Sequence, residues 1–302
     1  MNLAYEDHFI ELPDVMGEAI VARYWDEGDT DKPVLLFLHG IGDSLEMCLS
    51  TIDYFAREYR FIAVDLVGHG KSSLAHNKQV YSTKGFTTFL LRFIETMGLP
   101  TPLYIFAHSL GGILATRFSL EHTELVRKLV MVSPGGFNAH VALKFRLGSL
   151  PLVGRLSFTP FVLNRIRASA LAKFPNNEYI SKELIDLKYD YQLYHSKDAI
   201  LTLLQNEVHF KQGFTRSFTH AELQSLDIPT LIFWGNQDTT VPTEQYHDAM
   251  RGLKNCRIVL FEGVGHRALM SRADHVNAMS AQFLTDGHLD DEVEQNQPYQ
   301  FS

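Results

Sequence analysis

Cysteine is scarce in this sequence, and its scarcity excludes two kinds of protein. Among 302 residues only Cys48 and Cys256 occur, far apart and without a CxxC pair. A disulfide scaffold and a thiolate zinc site both need more cysteines, and so few thiols are typical of a reducing compartment. Also missing are an apolar run long enough to span a bilayer and the basic-then-apolar start of a signal peptide. These absences predict a cytoplasmic protein.

Positive charge is also in short supply. The chain carries 27 lysines and arginines against 35 aspartates and glutamates, a formal net charge of -8. Nucleic-acid binding depends on a cationic surface, so we expect no nucleic-acid partner. Hydrophobic residues make up 45% of the chain and charged residues 21%, a balance that indicates a folded globular protein. The length allows one large α/β domain or two smaller ones.

Short apolar runs without polar alternation punctuate the chain, several of them ending at Gly, Asp or His. They occupy residues 34–38, 61–64, 103–107, 129–132, 230–234 and 257–261. Such runs indicate strands buried on both faces, as in a parallel sheet. Helix-like segments occur at 45–58, 87–97, 111–121, 243–252 and 268–284. The alternation predicts a doubly wound α/β sheet, and two more strictly alternating segments, 9–12 and 19–25, predict an antiparallel edge hairpin.

The strand rhythm breaks between residues 135 and 225, where helical patterns and prolines replace the buried runs. We interpret 135–225 as a helical cap inserted over the C-terminal edge of the sheet. The core is then discontinuous, formed by residues 1–134 and 226–285. The remaining residues, 286–302, are polar and acidic, and we expect a flexible tail there.

The first half of the cap is basic and apolar. No acidic residue lies between Glu124 and Glu178, whereas eight lysines and arginines do: Arg127, Lys128, Lys144, Arg146, Arg155, Arg165, Arg167 and Lys173. One interpretation is a set of amphipathic helices whose apolar faces pack on each other and over a pocket. The other is a surface that contacts a membrane peripherally or meets an anionic substrate group.

Residues 107–112 read Ala-His-Ser-Leu-Gly-Gly and stand between a buried run and a helix-like segment. That is the context of a nucleophile elbow, a tight turn whose flanking residues must be small. Ser109 would stand at the N-terminus of the helix, where backbone N–H groups can stabilise an oxyanion. The competing interpretation is an ordinary strand-to-helix turn with Ser109 as the N-cap. We take Ser109 as the candidate nucleophile.

A serine nucleophile needs a base, and the chain offers 14 histidines. His266 lies just after the last buried run, on a glycine-containing loop from which it can reach back over the sheet edge. His108 is a poor candidate, because its side chain leaves the elbow in a different direction from Ser109. His39 and His69 also lie in loops, and we interpret them as structural. The sequence therefore favours His266 as the base.

A third group must orient the base and stabilise the imidazolium. Asp238 follows the penultimate run, in the segment Gly-Asn-Gln-Asp-Thr-Thr-Val-Pro, and gives the chain order Ser109, Asp238, His266. Asp65 also follows a strand run but lies on another loop, upstream of the serine. An alternative role for Asp238 is turn capping. We predict Ser109, Asp238 and His266 as the catalytic residues, with no metal and no organic cofactor.

With these motifs in place, the chain resembles the α/β-hydrolase superfamily over about residues 9–134 and 226–285. The resemblance rests on the His-Gly pair at 39–40, the Asp-Leu-Val-Gly-His-Gly-Lys-Ser segment at 65–72, the elbow, the acid loop and the Gly-His base loop. It implies a mostly parallel, doubly wound sheet with an inserted helical cap. It also implies a serine hydrolase whose oxyanion hole is formed by the backbone N–H groups of Ile41 and Leu110, with Gly42 a weaker choice than Ile41.

Departures from the family pattern narrow the activity that the resemblance implies. Epoxide hydrolases and haloalkane dehalogenases of this family carry aspartate at the elbow, where this chain has Ser109. The family's carbon–carbon bond hydrolases usually have a more glycine-rich loop than the Ile-Gly-Asp-Ser at 41–44, and often tryptophan where this chain has Arg267. Both departures favour an ester or thioester hydrolase.

We therefore expect cleavage of a carboxylic ester or thioester through an acyl-enzyme intermediate. The apolar cap suggests a small-molecule substrate with an apolar acyl or alcohol part. Three alternatives stay open: a carbon–carbon bond hydrolase of vinylogous diketones, a cofactor-free perhydrolase, and a ligand receptor built on the hydrolase fold.

Overall fold

The structure, a computed structural model, describes residues 5–173, 181–286 and 299–301. The strands of the first half are β1 (His8–Val15), β2 (Glu18–Glu27), β3 (Val34–Leu38), β4 (Arg60–Val64), β5 (Leu103–His108) and β6 (Val126–Val132). Its helices are α1 (Ile52–Phe55), α2 (Thr83–Met97) and α3 (Leu110–Glu121), with 3-10 turns at Leu45–Ser50, Lys78–Val80 and Thr123–Leu125.

The second half begins with five helices, α4 (Leu143–Gly148), α5 (Pro151–Ser157), α6 (Pro160–Lys173), α7 (Lys182–Tyr194) and α8 (Lys197–Glu207). A small hairpin, β7 (Val208–His209) and β8 (Gly213–Phe214), follows them. The chain then forms α9 (His220–Ser225), β9 (Thr230–Gly235), α10 (Glu244–Gly252), β10 (Cys256–Phe261), α11 (Ala268–Ser271), α12 (Ala273–Asp286) and β11 (Tyr299–Phe301).

The main sheet has the strand order β1-β2-β4-β3-β5-β6-β9-β10-β11 among the described residues. All neighbours are parallel except the β1–β2 and β2–β4 pairs. The α/β-hydrolase fold with a mostly parallel sheet, and the antiparallel hairpin at its start, are thus confirmed. In such a sheet the carboxyl ends of β5, β9 and β10 lie at the same edge, where ligands bind in open α/β sheets.

The apolar runs form strands because each side of the sheet is covered. In β3, Leu36 and Leu38 pack with α2, α3 and α10, whereas Leu35 and Phe37 pack with α1, α11 and α12. All five residues of β3 and all six of β5 are buried. Full burial of such a side chain contributes roughly 1.5–3 kcal/mol, so continuous apolar strands hold both helix layers against the sheet.

The predicted helix over 45–58 is instead a 3-10 turn followed by the short α1. Side chains from elsewhere bind backbone groups of this segment, including a carbonyl that a continuous helix would use. The Leu45 N–H donates to Asp65, and the Ser50 carbonyl accepts from Asn277. Local periodicity indicates a helix here, but these tertiary hydrogen bonds interrupt it.

The predicted cap range contains α4 to α9 and the β7–β8 hairpin, which the sequence did not indicate. The division into core and cap stays a prediction. Residues 287–298 of the predicted tail lie outside the described residues. Tyr299–Phe301 pair with β10 as an edge strand, where that strand would otherwise present unpaired backbone groups. Among the described residues, no helix is both long and apolar enough to cross a bilayer.

Candidate active site

The turn between β5 and α3 places Ser109 in a strained conformation. Its φ of 53° and ψ of -113° lie in a region that residues with a side chain rarely adopt. The turn closes because α3 begins directly against β3: a Cβ on Gly111 would lie 2.3 Å from the Leu38 carbonyl oxygen. A Cβ on Gly112 would lie 2.5 Å from the Cβ of Pro134. The two glycines therefore allow the close approach, and the turn projects the Ser109 hydroxyl at the sheet edge.

The structure brings together the three predicted catalytic residues. His266 Nε2 lies 3.0 Å from Ser109 Oγ, and His266 Nδ1 lies 2.7 Å from Asp238 Oδ2. All three side chains are mostly buried. Since an ionised carboxylate can only accept, Nδ1–H donates to Asp238 and Nε2 is left to accept the serine proton. This is the arrangement that proton transfer from a serine nucleophile requires.

The Asp238 carboxylate is held in its ionised form. Burial alone would raise the pKa of this carboxyl, but the hydrogen bond from His266 and two from the loop backbone hold it below its usual value. The backbone donors are the N–H groups of Thr240 and Val241, at 2.7 and 2.9 Å from Oδ1. The two carboxylate oxygens thus have separate tasks, with Oδ1 anchored to the loop and Oδ2 facing the histidine.

The other candidate histidines organise backbone. His39 accepts from the Leu66 N–H at 3.0 Å, and one nitrogen of His69 lies 3.2 Å from the Val67 carbonyl oxygen. His108 donates to the His266 carbonyl oxygen at 3.0 Å, a contact that the sequence did not indicate. Burial lowers the pKa of His108 to about 3 and that of His39 to about 4, so both stay neutral. His108 thus supports the loop that carries the base.

Asp65 is likewise structural. It accepts from the backbone N–H groups of Leu45 and Lys71 and from the buried Arg23 guanidinium. The same guanidinium donates to Glu46 at 2.8 Å, which places a buried ion-pair network beneath the loops at this edge. Arg23 is not predictable as part of this network, because it lies in an alternating strand pattern that gives no signal of a buried charge.

The two predicted oxyanion donors lie beside the nucleophile. Ile41, Ser109 and Leu110 line the same cavity. Leu110 is the first residue of α3, so its N–H has no partner within the helix. Within the described residues, neither this N–H nor that of Ile41 donates to a backbone carbonyl. Neither group is thus committed to a backbone carbonyl, and their role as oxyanion donors stays a prediction of the family resemblance.

The cavity above Ser109 is largely apolar, with a volume of about 740 Å³ including its open mouth. Its walls come from both the sheet loops and the helices of the predicted cap, and include Ile113, Val141, Phe145, Leu203, Leu204 and Phe214. Polar side chains also line it, among them Glu207, Arg216 and Gln245. None of these belongs to a recognisable motif, which is why sequence reasoning named no substrate-binding residue. The described residues hold no group of three or more His, Cys, Asp and Glu arranged for a metal.

Comparisons with known proteins agree with the fold. A family model described as the alpha/beta hydrolase fold matches residues 33–273. A monoacylglycerol lipase, abhd6-B of Xenopus laevis, is 24% identical, over 85% of this chain and 78% of the relative.

Two solved structures share the fold. Carboxylesterase CesB of Bacillus subtilis superposes with a TM-score of 0.70 at 20% identity, covering 95% of this chain and 94% of the other. A meta-cleavage product hydrolase of Pseudomonas fluorescens gives 0.73 at 21%, covering 89% of this chain and 96% of the other. At these identities the two structures show a shared fold, while their substrates differ.

Proposed function

The chain belongs to the α/β-hydrolase fold family and is a hydrolase of that fold, and from this premise we propose that it cleaves carboxylic esters or thioesters through an acyl-enzyme on Ser109. The observation that carries the proposal is the continuous hydrogen-bonded chain from Ser109 through His266 to Asp238. The monoacylglycerol lipase relative supports an ester substrate.

In the proposed reaction, Ser109 Oγ attacks the acyl carbonyl while His266 Nε2 takes its proton. The carbonyl oxygen becomes an oxyanion that accepts hydrogen bonds from the N–H groups of Ile41 and Leu110. His266 then donates the proton to the departing alcohol or thiol, which leaves an acyl-enzyme. Water, deprotonated by His266, attacks the acyl group and releases the carboxylic acid and Ser109. Loss of one oxyanion donor typically costs on the order of 10²–10³ in rate.

Two residues support an ester over the other bonds that this family cleaves. Ser109 occupies the elbow, so an alkyl-enzyme on aspartate is not available. Arg267, directly after the base, has its guanidinium 3.6 Å from the sulfurs of Met47 and Met270. In the sequence, Arg267 stands where the family's carbon–carbon bond hydrolases often carry tryptophan.

The apolar cavity predicts a preference for acyl chains longer than acetate. With a series of p-nitrophenyl esters, we expect kcat/KM to rise about fourfold per added methylene until the cavity is filled, because each buried CH2 contributes roughly 0.8 kcal/mol. The measurement is initial-rate release of p-nitrophenol by the wild-type protein. A maximum at acetate would show that the cavity does not bind the acyl group.

A fluorophosphonate probe tests the nucleophile in the same samples. We expect mass spectrometry to place the label on Ser109, and ester turnover to fall in proportion to labelling. Absence of label would contradict the serine hydrolase. Label without ester turnover would favour the carbon–carbon hydrolase or the receptor, and turnover only with peroxide and a carboxylic acid would favour the perhydrolase.

We further propose a cytoplasmic location. Neither Cys48 nor Cys256 forms a disulfide, and both thiols are compatible with a reducing compartment.

A further inference from the structure

Two helices of the predicted cap expose large apolar side chains. On α5, Leu152 is 80% exposed and Leu156 is 64% exposed, and on α6 Phe161 is 70% exposed and Ile166 is 46% exposed. Only Gly154 of α5 is buried. We call these four apolar residues, together with Arg155 and Arg165, the outer cap face. These four side chains are therefore not covered by the neighbouring helices, although Leu163 of α6 is buried.

The arginines of the outer cap face are not neutralised. Within the described part of the chain neither Arg155 nor Arg165 forms an ion pair, and the Arg165 guanidinium lies 5.5 Å from the Phe161 ring. Arg167 differs, because its Nε pairs with Asp186 of α7 at 2.6 Å. No acidic residue occurs in the sequence of α5 or α6. The face is therefore cationic on a chain whose net charge is -8.

The outer cap face adjoins the roof of the substrate cavity. Helix α5 packs against α4 and α8, and α6 packs against α5. On α4, Phe145 lines the cavity while Leu143 is 61% exposed. Residues of α8 line the cavity from the same side, among them Leu203 and Leu204. A lipid held at the outer face would thus lie one helix layer away from the cavity above Ser109.

We infer that the outer cap face docks on an anionic lipid surface. Helices that lie in a bilayer interface combine protruding leucine and phenylalanine with lysine or arginine, as this face does. Charge complementarity favours anionic headgroups. Each lysine or arginine near such a surface increases the binding affinity about fivefold. The inference goes beyond the proposed function, since binding to lipid is measured without turnover.

Vesicle flotation tests this docking. We compare phosphatidylcholine vesicles with vesicles of phosphatidylcholine and phosphatidylglycerol in equal parts. Wild-type protein should bind the anionic vesicles at least about tenfold more tightly, and less so at high salt. The double variant Arg155→Gln/Arg165→Gln should lose most of this preference. Leu152→Ser/Leu156→Ser should weaken binding to anionic vesicles about tenfold or more.

Matched controls come from the predicted core. Leu74→Ser alters a leucine of the core that is 45% exposed, and Arg57→Gln alters an exposed core arginine, so both should bind as wild type. Equal binding by all variants, or no binding by the wild type, would overturn the inference. So would a wild-type dimer in gel filtration that Leu152→Ser/Leu156→Ser dissociates, since the face would then join two copies of the chain.

A second, independent observation concerns α7. One side of this helix is bonded to the loop that carries the Ile41 N–H. Lys188 Nζ forms an ion pair with Asp43 Oδ1, and Gln192 Nε2 donates to the Gly42 carbonyl oxygen at 2.6 Å. Lys188 and Gln192 are four residues apart and therefore share a helix face. Both contacts fall within two residues of the proposed oxyanion donor.

The conformation of the loop at residues 42–43 depends on side chains outside the loop. Gly42 has a φ of +65°, and a Cβ there would lie 2.7 Å from Gln192 Nε2. Asp43 is buried, which favours its neutral form, but Lys188 and the Arg267 guanidinium at 3.6 Å hold its pKa well below the usual range. The loop carboxylate is thus fixed by a charge that α7 supplies.

The geometry assigns Lys188 and Gln192 as positioning residues for the oxyanion hole, a role that rests on the proposed function. The two contacts from α7 hold residues 42 and 43 and so fix the direction of the Ile41 N–H. The predicted cap and the catalytic geometry are coupled through these two side chains.

The variants Lys188→Met and Gln192→Leu should each lower kcat by about tenfold with KM changed less than about twofold, because the N–H acts on the transition state more than on bound ester. Labelling by the fluorophosphonate should slow in parallel, since its phosphoryl oxygen occupies the same hole. Lys182→Met is the control: this lysine of α7 pairs with Asp186 and is exposed.

The outcomes separate this role from the proposed function. Wild-type protein without label on Ser109 would refute the serine hydrolase. Labelled wild-type protein with unchanged kcat in both variants would refute only the positioning role, as would a loss confined to KM. Should Lys188→Met fail to fold, Gln192→Leu carries the test alone, with its melting temperature compared with that of Lys182→Met.

Discussion

Ser109→Ala should abolish ester turnover while leaving the fold intact. We expect kcat to fall by on the order of 10⁴–10⁶, the range for a serine nucleophile that acts as a unit with its base. The hydroxyl caps no backbone group of α3, and the hydrogen bond found for it is the one with His266. Its removal therefore costs little stability. Steady-state kinetics with the best p-nitrophenyl ester, together with the melting temperature, are the measurements.

Ser133→Ala provides a matched control for this result. Ser133 is a buried serine directly after β6, the strand beside β5, and it also has a positive φ, of 48°. Its hydroxyl has no hydrogen-bond partner among the described residues. We expect its activity within about twofold of wild type. If Ser109→Ala kept most of its activity, or if both variants lost it equally, Ser109 would not be the nucleophile.

The strands and the elbow were predictable from the sequence because their signals are local. A run such as Val34–Leu38 is apolar at every position since helices cover both sides of the sheet. The elbow requires small residues at fixed offsets from Ser109, and Gly111 meets that requirement against a backbone carbonyl. Asp238 and His266 could be placed because each follows a strand that ends at the same edge of the sheet.

Other features could not be predicted because they depend on which segments meet in space. Phe145 and Leu204 line one cavity although they are 59 positions apart. The support of the base loop by His108 joins two segments that no pattern links. The apolar pattern of α5 and α6 left both buried packing and an exposed surface open, because periodicity identifies an apolar face without identifying what covers it, and Leu152 and Phe161 are exposed.

Asp238→Asn should lower kcat by on the order of 10²–10⁴, through the tautomer of the base. Two backbone N–H groups, from Thr240 and Val241, point at the oxygen in the Oδ1 position. Asparagine must place its carbonyl oxygen there, and its NH2 group then faces His266 Nδ1. Since that amide only donates, Nδ1 must accept and the imidazole proton moves to Nε2. The base then presents N–H to Ser109 and cannot take its proton.

A wrong tautomer of His266 and a mere loss of negative charge predict different results for Asp238→Ala. Asp238→Ala also removes the charge but places no donor against Nδ1, so His266 keeps access to the productive tautomer. We expect Asp238→Ala to retain about tenfold more activity than Asp238→Asn, even though it leaves two loop N–H groups without an acceptor and lowers the melting temperature more. Asp227→Asn is the control: Asp227 is exposed and lies just before β9, so this variant should behave as wild type. Equal losses for the alanine and asparagine variants would show that Asp238 acts through its charge and that the orientation of the loop donors is irrelevant.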